Sequence, residues 1–136
     1  MYLSLLDFEK KQLFLELETY MAKIDGEFTD DEKTIIDIHC NEMKIDNNDY
    51  ICKLDLDTVI DEIKTKFSAK EKKIVFLELA VTVLADGVYT DSEKELISKL
   101  STILDIKKSD IDEALDIAEK LKMEYERCAA FVSTNL

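Results

Sequence analysis

Two stretches of this sequence decide its fold: MAKIDGEFTDDEKTII, Met21–Ile36, and TVLADGVYTDSEKELI, Thr82–Ile97. They share the pattern D-G-x-[FY]-T-D-x-E-K at an offset of 61 residues, and the similarity continues downstream without a gap. A constant offset over roughly thirty residues indicates an internal duplication. The sequence therefore predicts a repeated helix–turn–helix unit, with one copy at about 5–56 and the other at about 69–121.

Each Asp-Gly turn is expected to stop one helix and start the next. Gly26 and Gly87 can adopt the left-handed backbone conformation that ends a helix. Thr29 and Thr90 follow three residues later, and each precedes a glutamate by three positions, which is the pattern of a capping box. The motif therefore predicts a tight hairpin of two helices in each copy.

The composition of the chain favours an all-α fold. Its 136 residues include no proline and only two glycines, which makes a many-stranded sheet hard to build. Further helix starts are expected at Ser4 and Ser68, and further short helices near Tyr50–Leu54 and Thr58–Phe67. We predict a single domain over 1–136, a compact all-α bundle of about seven helices with a pseudo-twofold repeat.

The charge and the apolar pattern exclude several classes of protein. A net charge of −13 repels phosphate backbones, so no nucleic-acid partner is expected. The same charge suits solubility, divalent cations or a basic protein surface. The most apolar stretch, Ile74–Ala85, is much shorter than the roughly twenty residues of a membrane span. Direct membrane insertion is therefore not expected.

The termini and thiols are typical of a cytoplasmic protein. The first residues, MYLSLLDFEKK, mix acids and bases and do not form a secretory signal. Cys40, Cys52 and Cys128 are scattered and odd in number, which favours reduced thiols over a disulfide framework. The tail residues could dock back onto the bundle, form a dimer or mark a groove for a partner, and docking is favoured; they are Tyr125, Ala129, Ala130, Phe131 and Val132. The oligomeric state is left open by the sequence.

The motif AKIDGEFTDDE, Ala22–Glu32, and its partner VLADGVYTDSE, Val83–Glu93, resemble the TerB family of tellurite-resistance proteins. A related helical domain stands at the N-terminus of some membrane-anchored DnaJ-like co-chaperones. The resemblance runs from the first helix to Leu121, although Ile24 replaces the alanine that the family pattern has before Asp-Gly. It implies an all-helical, cytoplasmic domain of a stress-response system, with a TerC-like membrane protein as a partner and metal-linked roles for acidic residues.

The acidic residues of the two turns have two interpretations. Asp25, Glu32, Asp86 and Glu93 could together bind a divalent metal, because hard cations prefer carboxylate and carbonyl oxygens. Alternatively each aspartate closes its own turn and each glutamate serves its own capping box. The second interpretation is favoured, because it satisfies these side chains locally without an ion. Neither loop has the oxygen ligands that an EF-hand needs at its first and third positions.

No catalytic constellation can be named. His39, the single histidine, is next to Cys40 in a helical stretch, where adjacent side chains point about 100° apart. We expect a surface or boundary histidine and no Cys–His pair. The sequence therefore predicts a non-catalytic acidic interaction module without a cofactor, binding a protein partner in a tellurite or stress response. The alternative is a divalent-metal-binding or metal-sensing domain.

Overall fold

A computed structural model describes residues 1–24, 26, 28–84 and 90–134 of the chain. Over these residues the fold is all-helical, without a strand. Two short 3-10 turns occur at Leu3–Leu5 and Asn48–Tyr50. The six α-helices are α1 (Phe8–Lys23), α2 (Asp30–Met43), α3 (Leu56–Lys66), α4 (Ala69–Val83), α5 (Asp91–Ile103) and α6 (Lys108–Thr134).

The structure has fewer helices than the sequence pattern predicts. The expected helix near Tyr50–Leu54 is wrong, because the preceding 3-10 turn ends in left-handed backbone. Asp49 and Tyr50 have φ values of 57° and 59°, which an α-helix cannot continue. The chain then runs on without helix until Asp55, whose side chain accepts a hydrogen bond from the Thr58 amide at 2.8 Å and starts α3.

The predicted start of α4 is correct, and the predicted start of α1 is wrong. Ser68 and Glu71 form a complete capping box at the start of α4, as expected. Ser4 does not start α1, because the chain first makes the 3-10 turn at the N-terminus. Asp7 caps α1 instead, accepting a hydrogen bond from the Lys10 amide at 2.9 Å.

The helix starts follow the offset of the sequence motif. Helices α1 and α4 begin 61 residues apart, and so do α2 and α5. Lys44 and Asp105, also 61 residues apart, both have left-handed backbone just after the second helix of their copy. The correspondence ends at Asp49, because its equivalent, Asp110, lies inside the long helix α6. The duplication itself stays a prediction from the sequence.

Helices α1 and α4 pack against each other, and each contributes many buried apolar residues to the core. Phe14, Leu17, Phe76 and Leu79 are completely or almost completely buried, so the apolar stretch that begins at Ile74 lies in a central buried helix. Burying side chains of this size contributes about 1.5–3 kcal/mol each. This pairing places the middle of α1 and the middle of α4 side by side, with α2 across them.

The last helix continues beyond the core. Helix α6 packs mainly on α4 through its first half, and Ala118 is its one fully buried residue among those described. Tyr125 and Phe131 are 65% and 70% exposed, so the expected docking of the tail onto the bundle is wrong. The helix extends instead, because no glycine or proline interrupts its sequence. Ion pairs such as Lys122–Glu126 at 2.7 Å stabilise its exposed turns.

Candidate functional site

The structure gives the acidic residues of the Asp-Gly motif a local role where it describes them. Asp25 and Asp86 lie outside the described residues. Glu32 and Glu93 are buried in complete capping boxes, where each side chain accepts a hydrogen bond from a threonine amide at 3.0 Å. Among the described residues, no group of three or more His, Cys, Asp or Glu side chains is arranged to hold a metal ion. The metal site at these four residues stays a prediction, and the capping role of the glutamates is confirmed.

Replacing Thr29 with alanine should lower the free energy of unfolding by about 1 kcal/mol. The Thr29 hydroxyl accepts a hydrogen bond from the Glu32 amide at 3.1 Å, and alanine leaves this amide without its cap. Urea denaturation followed by circular dichroism measures the loss. Thr34→Ala is the matched control, because Thr34 is exposed inside α2 and its hydroxyl donates to the Asp30 carbonyl of its own helix. Equal losses in the two variants would contradict the capping role.

The structure reveals a buried ionic network that the sequence interpretation missed. His39 was expected at the surface or at the boundary of the core, and this expectation is wrong, since the residue is buried and only 5% exposed. Its Nδ1 lies 2.5 Å from Oε2 of Glu18 on α1, and its Nε2 lies 3.1 Å from Oε2 of Glu78 on α4. The imidazole therefore lies between two buried carboxylates contributed by the two central helices.

Two features of the sequence could have pointed to this network. His39 shares a helix face with Ile36, Cys40 and Met43, which are spaced for burial, and all four side chains are buried. Glu78 interrupts the most apolar stretch of the chain. A carboxylate on a buried helix face needs a partner, and the single histidine supplies it.

The contacts of His39 define its charge. Burial by itself lowers the pKa of His39, but its hydrogen bonds to Glu18 and Glu78 outweigh burial and raise the pKa to about 9. An imidazolium can donate from both ring nitrogens, as this geometry requires. Burial by itself raises the pKa of Glu78, whereas the bonds from His39 and the Met1 amine lower it to about 2. Both groups are therefore charged at neutral pH.

Glu18 completes the network deep in the core. Its Oε2 also accepts a hydrogen bond from the Thr82 hydroxyl at 2.6 Å. Its Oε1 is buried without a hydrogen-bond partner in the part of the chain that the structure describes. The Glu18 carboxylate needs the positive charge of His39, because a buried charge without an opposite charge beside it is costly.

The outer side of the network opens into a groove between α2 and α6. This groove has a volume of about 640 Å³, and both His39 and Glu78 contribute to its lining. Its walls are largely apolar, and carboxylates stand among them. The principal apolar residues are Ile35, Ile38, Val81, Leu121 and Tyr125, and the further carboxylates are Asp31, Glu42 and Glu126.

The N-terminal segment lies against one end of the groove. The Met1 amine donates hydrogen bonds to Oε1 of Glu42 and to Oε1 of Glu78, both at 2.8 Å. The amides of Tyr2 and Leu3 donate to the same two carboxylates, at 3.1 and 2.9 Å. Burial by itself lowers the pKa of the Met1 amine, but the two carboxylates raise it overall. Glu42 and Glu78 thus bind an ammonium group at the groove.

The thiol beside the network is not activated. Cys40 is buried, and desolvation together with nearby carboxylates raises its pKa to about 12. The thiol therefore stays protonated at neutral pH and is a poor nucleophile. The arrangement offers fixed carboxylates to a cation, and the chemistry that it supports is binding.

These features define an all-helical module with an acidic groove connected to a buried carboxylate–imidazolium network. Residues 51–116 match the family described as Tellurite resistance protein TerB. The match contains α3, α4 and α5 with the second Asp-Gly motif, and it confirms the resemblance that the motif suggested. No curated protein and no solved structure matches the chain.

None of the described helices combines the length and the apolar character needed to cross a bilayer.

Proposed function

We propose that this protein is a non-catalytic, cytoplasmic interaction module of a tellurite or stress-response system, and that its groove binds an amphipathic helix of a protein partner. The match of residues 51–116 to the TerB family supports a role in a tellurite or stress response. The groove between α2 and α6, with apolar walls and acidic side chains, is the observation that carries the binding role. A cytoplasmic segment of a TerC-like membrane protein is the partner that we propose.

The shape of the groove suits a helix. Ile35 and Ile38 stand on the face of α2 that borders the groove, and Leu121 stands across from them on α6. Ile38 is 52% exposed, although side chains of this kind gain free energy when they are covered. A helix with apolar residues at i, i+3, i+4 and i+7 can bury such anchors in a groove.

The charge of the groove selects among such helices. Asp31, Glu42 and Glu126 contribute carboxylates to the lining, and Lys122 pairs with Glu126 at 2.7 Å. The whole chain carries a net charge of −13. Potentials of opposite sign speed encounter and suppress the wrong partners. The partner helix should therefore carry lysines beside its apolar stripe.

A synthetic amphipathic helix of about 14 residues tests this proposal, with leucines on one face and lysines beside them. We expect fluorescence anisotropy to show saturable binding, and a helix with glutamates in place of the lysines to bind much more weakly. Ile38→Asp should weaken binding at least roughly tenfold. Ile51→Asp is the matched control, because Ile51 is 60% exposed and does not line the groove. Equal affinity of the two variants would contradict the proposed site.

A further inference from the structure

We infer that Glu42 and Glu78 form a receptor for a primary ammonium group, and that a lysine side chain of the partner helix binds there in place of the Met1 amine. This inference rests on the proposed function, because the lysine belongs to the helix in the groove. The groove then recognises a primary ammonium group, and the N-terminal segment of this chain competes with the partner for the same position.

The geometry of the two carboxylates supports an ammonium ligand. Glu42 comes from α2 and Glu78 from α4, and one oxygen of each lies 2.8 Å from the same nitrogen. A single nitrogen that donates in several directions fits two oxygens from different carboxylates. A guanidinium instead offers parallel N–H groups that match both oxygens of one carboxylate. The pair should therefore prefer lysine to arginine.

The surroundings hold the receptor in place before a ligand arrives. The second oxygen of Glu78 is bonded to Nε2 of His39 at 3.1 Å, and its side chain is 1% exposed. His39 is in turn bonded to Glu18 on the far side. The side chain of Glu78 cannot easily turn away or be solvated, so binding requires little reorganisation.

Charge balance explains why the position demands a cation. With His39 protonated, the three carboxylates of Glu18, Glu42 and Glu78 leave this cluster with an excess of negative charge. The Met1 amine reduces that excess at the border of the groove. Removing a cation from a largely buried carboxylate is costly, so a departing amine should be replaced by another cation.

The Met1 amine and a partner lysine would therefore exclude each other. Leu3 is completely buried and fixes the end of the segment, whereas Met1 is about half exposed and lines the groove. Adding Gly-Ser before Met1 converts its amine into an amide and moves the terminal charge two residues away from the position between Glu42 and Glu78. The extended chain should bind a lysine helix more tightly than the original chain does.

Three synthetic helices test the receptor on the Gly-Ser-extended chain. They share a leucine stripe and neutral polar residues, and they differ in one groove-facing residue, which is lysine, Nε-acetyl-lysine or arginine. We expect the lysine helix to bind at least roughly tenfold more tightly than the acetyl-lysine helix, with the arginine helix between them. Glu42→Gln should remove this difference. Glu62→Gln, a partly exposed carboxylate outside the groove, should preserve it.

The outcomes separate the receptor from the groove. Equal binding of the lysine and acetyl-lysine helices, with both weakened by Ile38→Asp, would overturn the ammonium receptor and leave the groove as a binding site. Failure of every helix to bind would overturn the proposed function itself. An unchanged affinity of the lysine helix after the Gly-Ser extension would overturn the competition with Met1.

Discussion

Replacing His39 with glutamine should lower the free energy of unfolding by about 3–5 kcal/mol, which is a large part of the stability of a domain of this size. The imidazolium is the cation between Glu18 and Glu78, both of which are almost completely buried. A neutral amide leaves two buried carboxylates without their shared partner. Chemical denaturation at about pH 6, followed by circular dichroism, measures the loss.

A double-mutant cycle with Glu18→Gln tests whether charge causes this loss. In the wild-type background, Glu18→Gln removes one partner of His39 and should be destabilising. In the His39→Gln background the same change removes an orphaned charge, and it should be neutral or stabilising. The coupling between the two positions should therefore be large. Simple addition of the two losses would show that packing, and not charge, explains the effect of the histidine.

Raising the pH should destabilise the protein through the same histidine. The pKa of His39 is raised from 6.5 to about 9, so its contribution is fully present below pH 6.5 and is lost as the pH rises through 9. The shift corresponds to about 3 kcal/mol, since each unit is worth about 1.4 kcal/mol. The pKa of Glu78 is lowered from 4.5 to about 2, so its contribution is present above pH 4.5 and is lost toward pH 2. Stability from this network should therefore be greatest between about pH 4.5 and 6.5.

Denaturation at about pH 6 and about pH 10 measures the alkaline loss. The His39→Gln variant is the control, since it should show a much smaller difference between the two conditions. Because His39 is the single histidine of the chain, an NMR titration of its ring reports its pKa without ambiguity of assignment. A measured pKa near 6.5 would contradict the network as described.

The sequence predicted those parts of the fold that local chemistry determines. The threonine and glutamate of each motif start α2 and α5 at the expected residues, and Gly26 has the predicted positive φ, 82°. The helix expected near Tyr50–Leu54 was wrong because the left-handed backbone of Asp49 and Tyr50 could not be predicted from residues that are not glycines. Such residues depend on contacts from elsewhere in the chain: the Tyr50 hydroxyl donates to Asp37, and its ring packs against Phe28.

The candidate site was harder to predict because its parts are distant in sequence. Glu18, His39 and Glu78 lie on three different helices, and neither carboxylate is near the histidine in the chain. The spacing of residues on α2 indicates that His39 faces inward, but no local pattern identifies its partners. The same holds for the groove, because it exists only where α6 packs on α4 and leaves one face of α2 uncovered.

The projecting half of α6 determines how the molecule moves in solution. With 27 residues at 1.5 Å per residue, α6 is about 40 Å long, and well over half of it follows Ala118. A rod attached to a small globule increases frictional drag and makes rotation slower about the axes perpendicular to the rod. The protein should therefore tumble anisotropically, with a hydrodynamic radius larger than that of a sphere of 15.7 kDa.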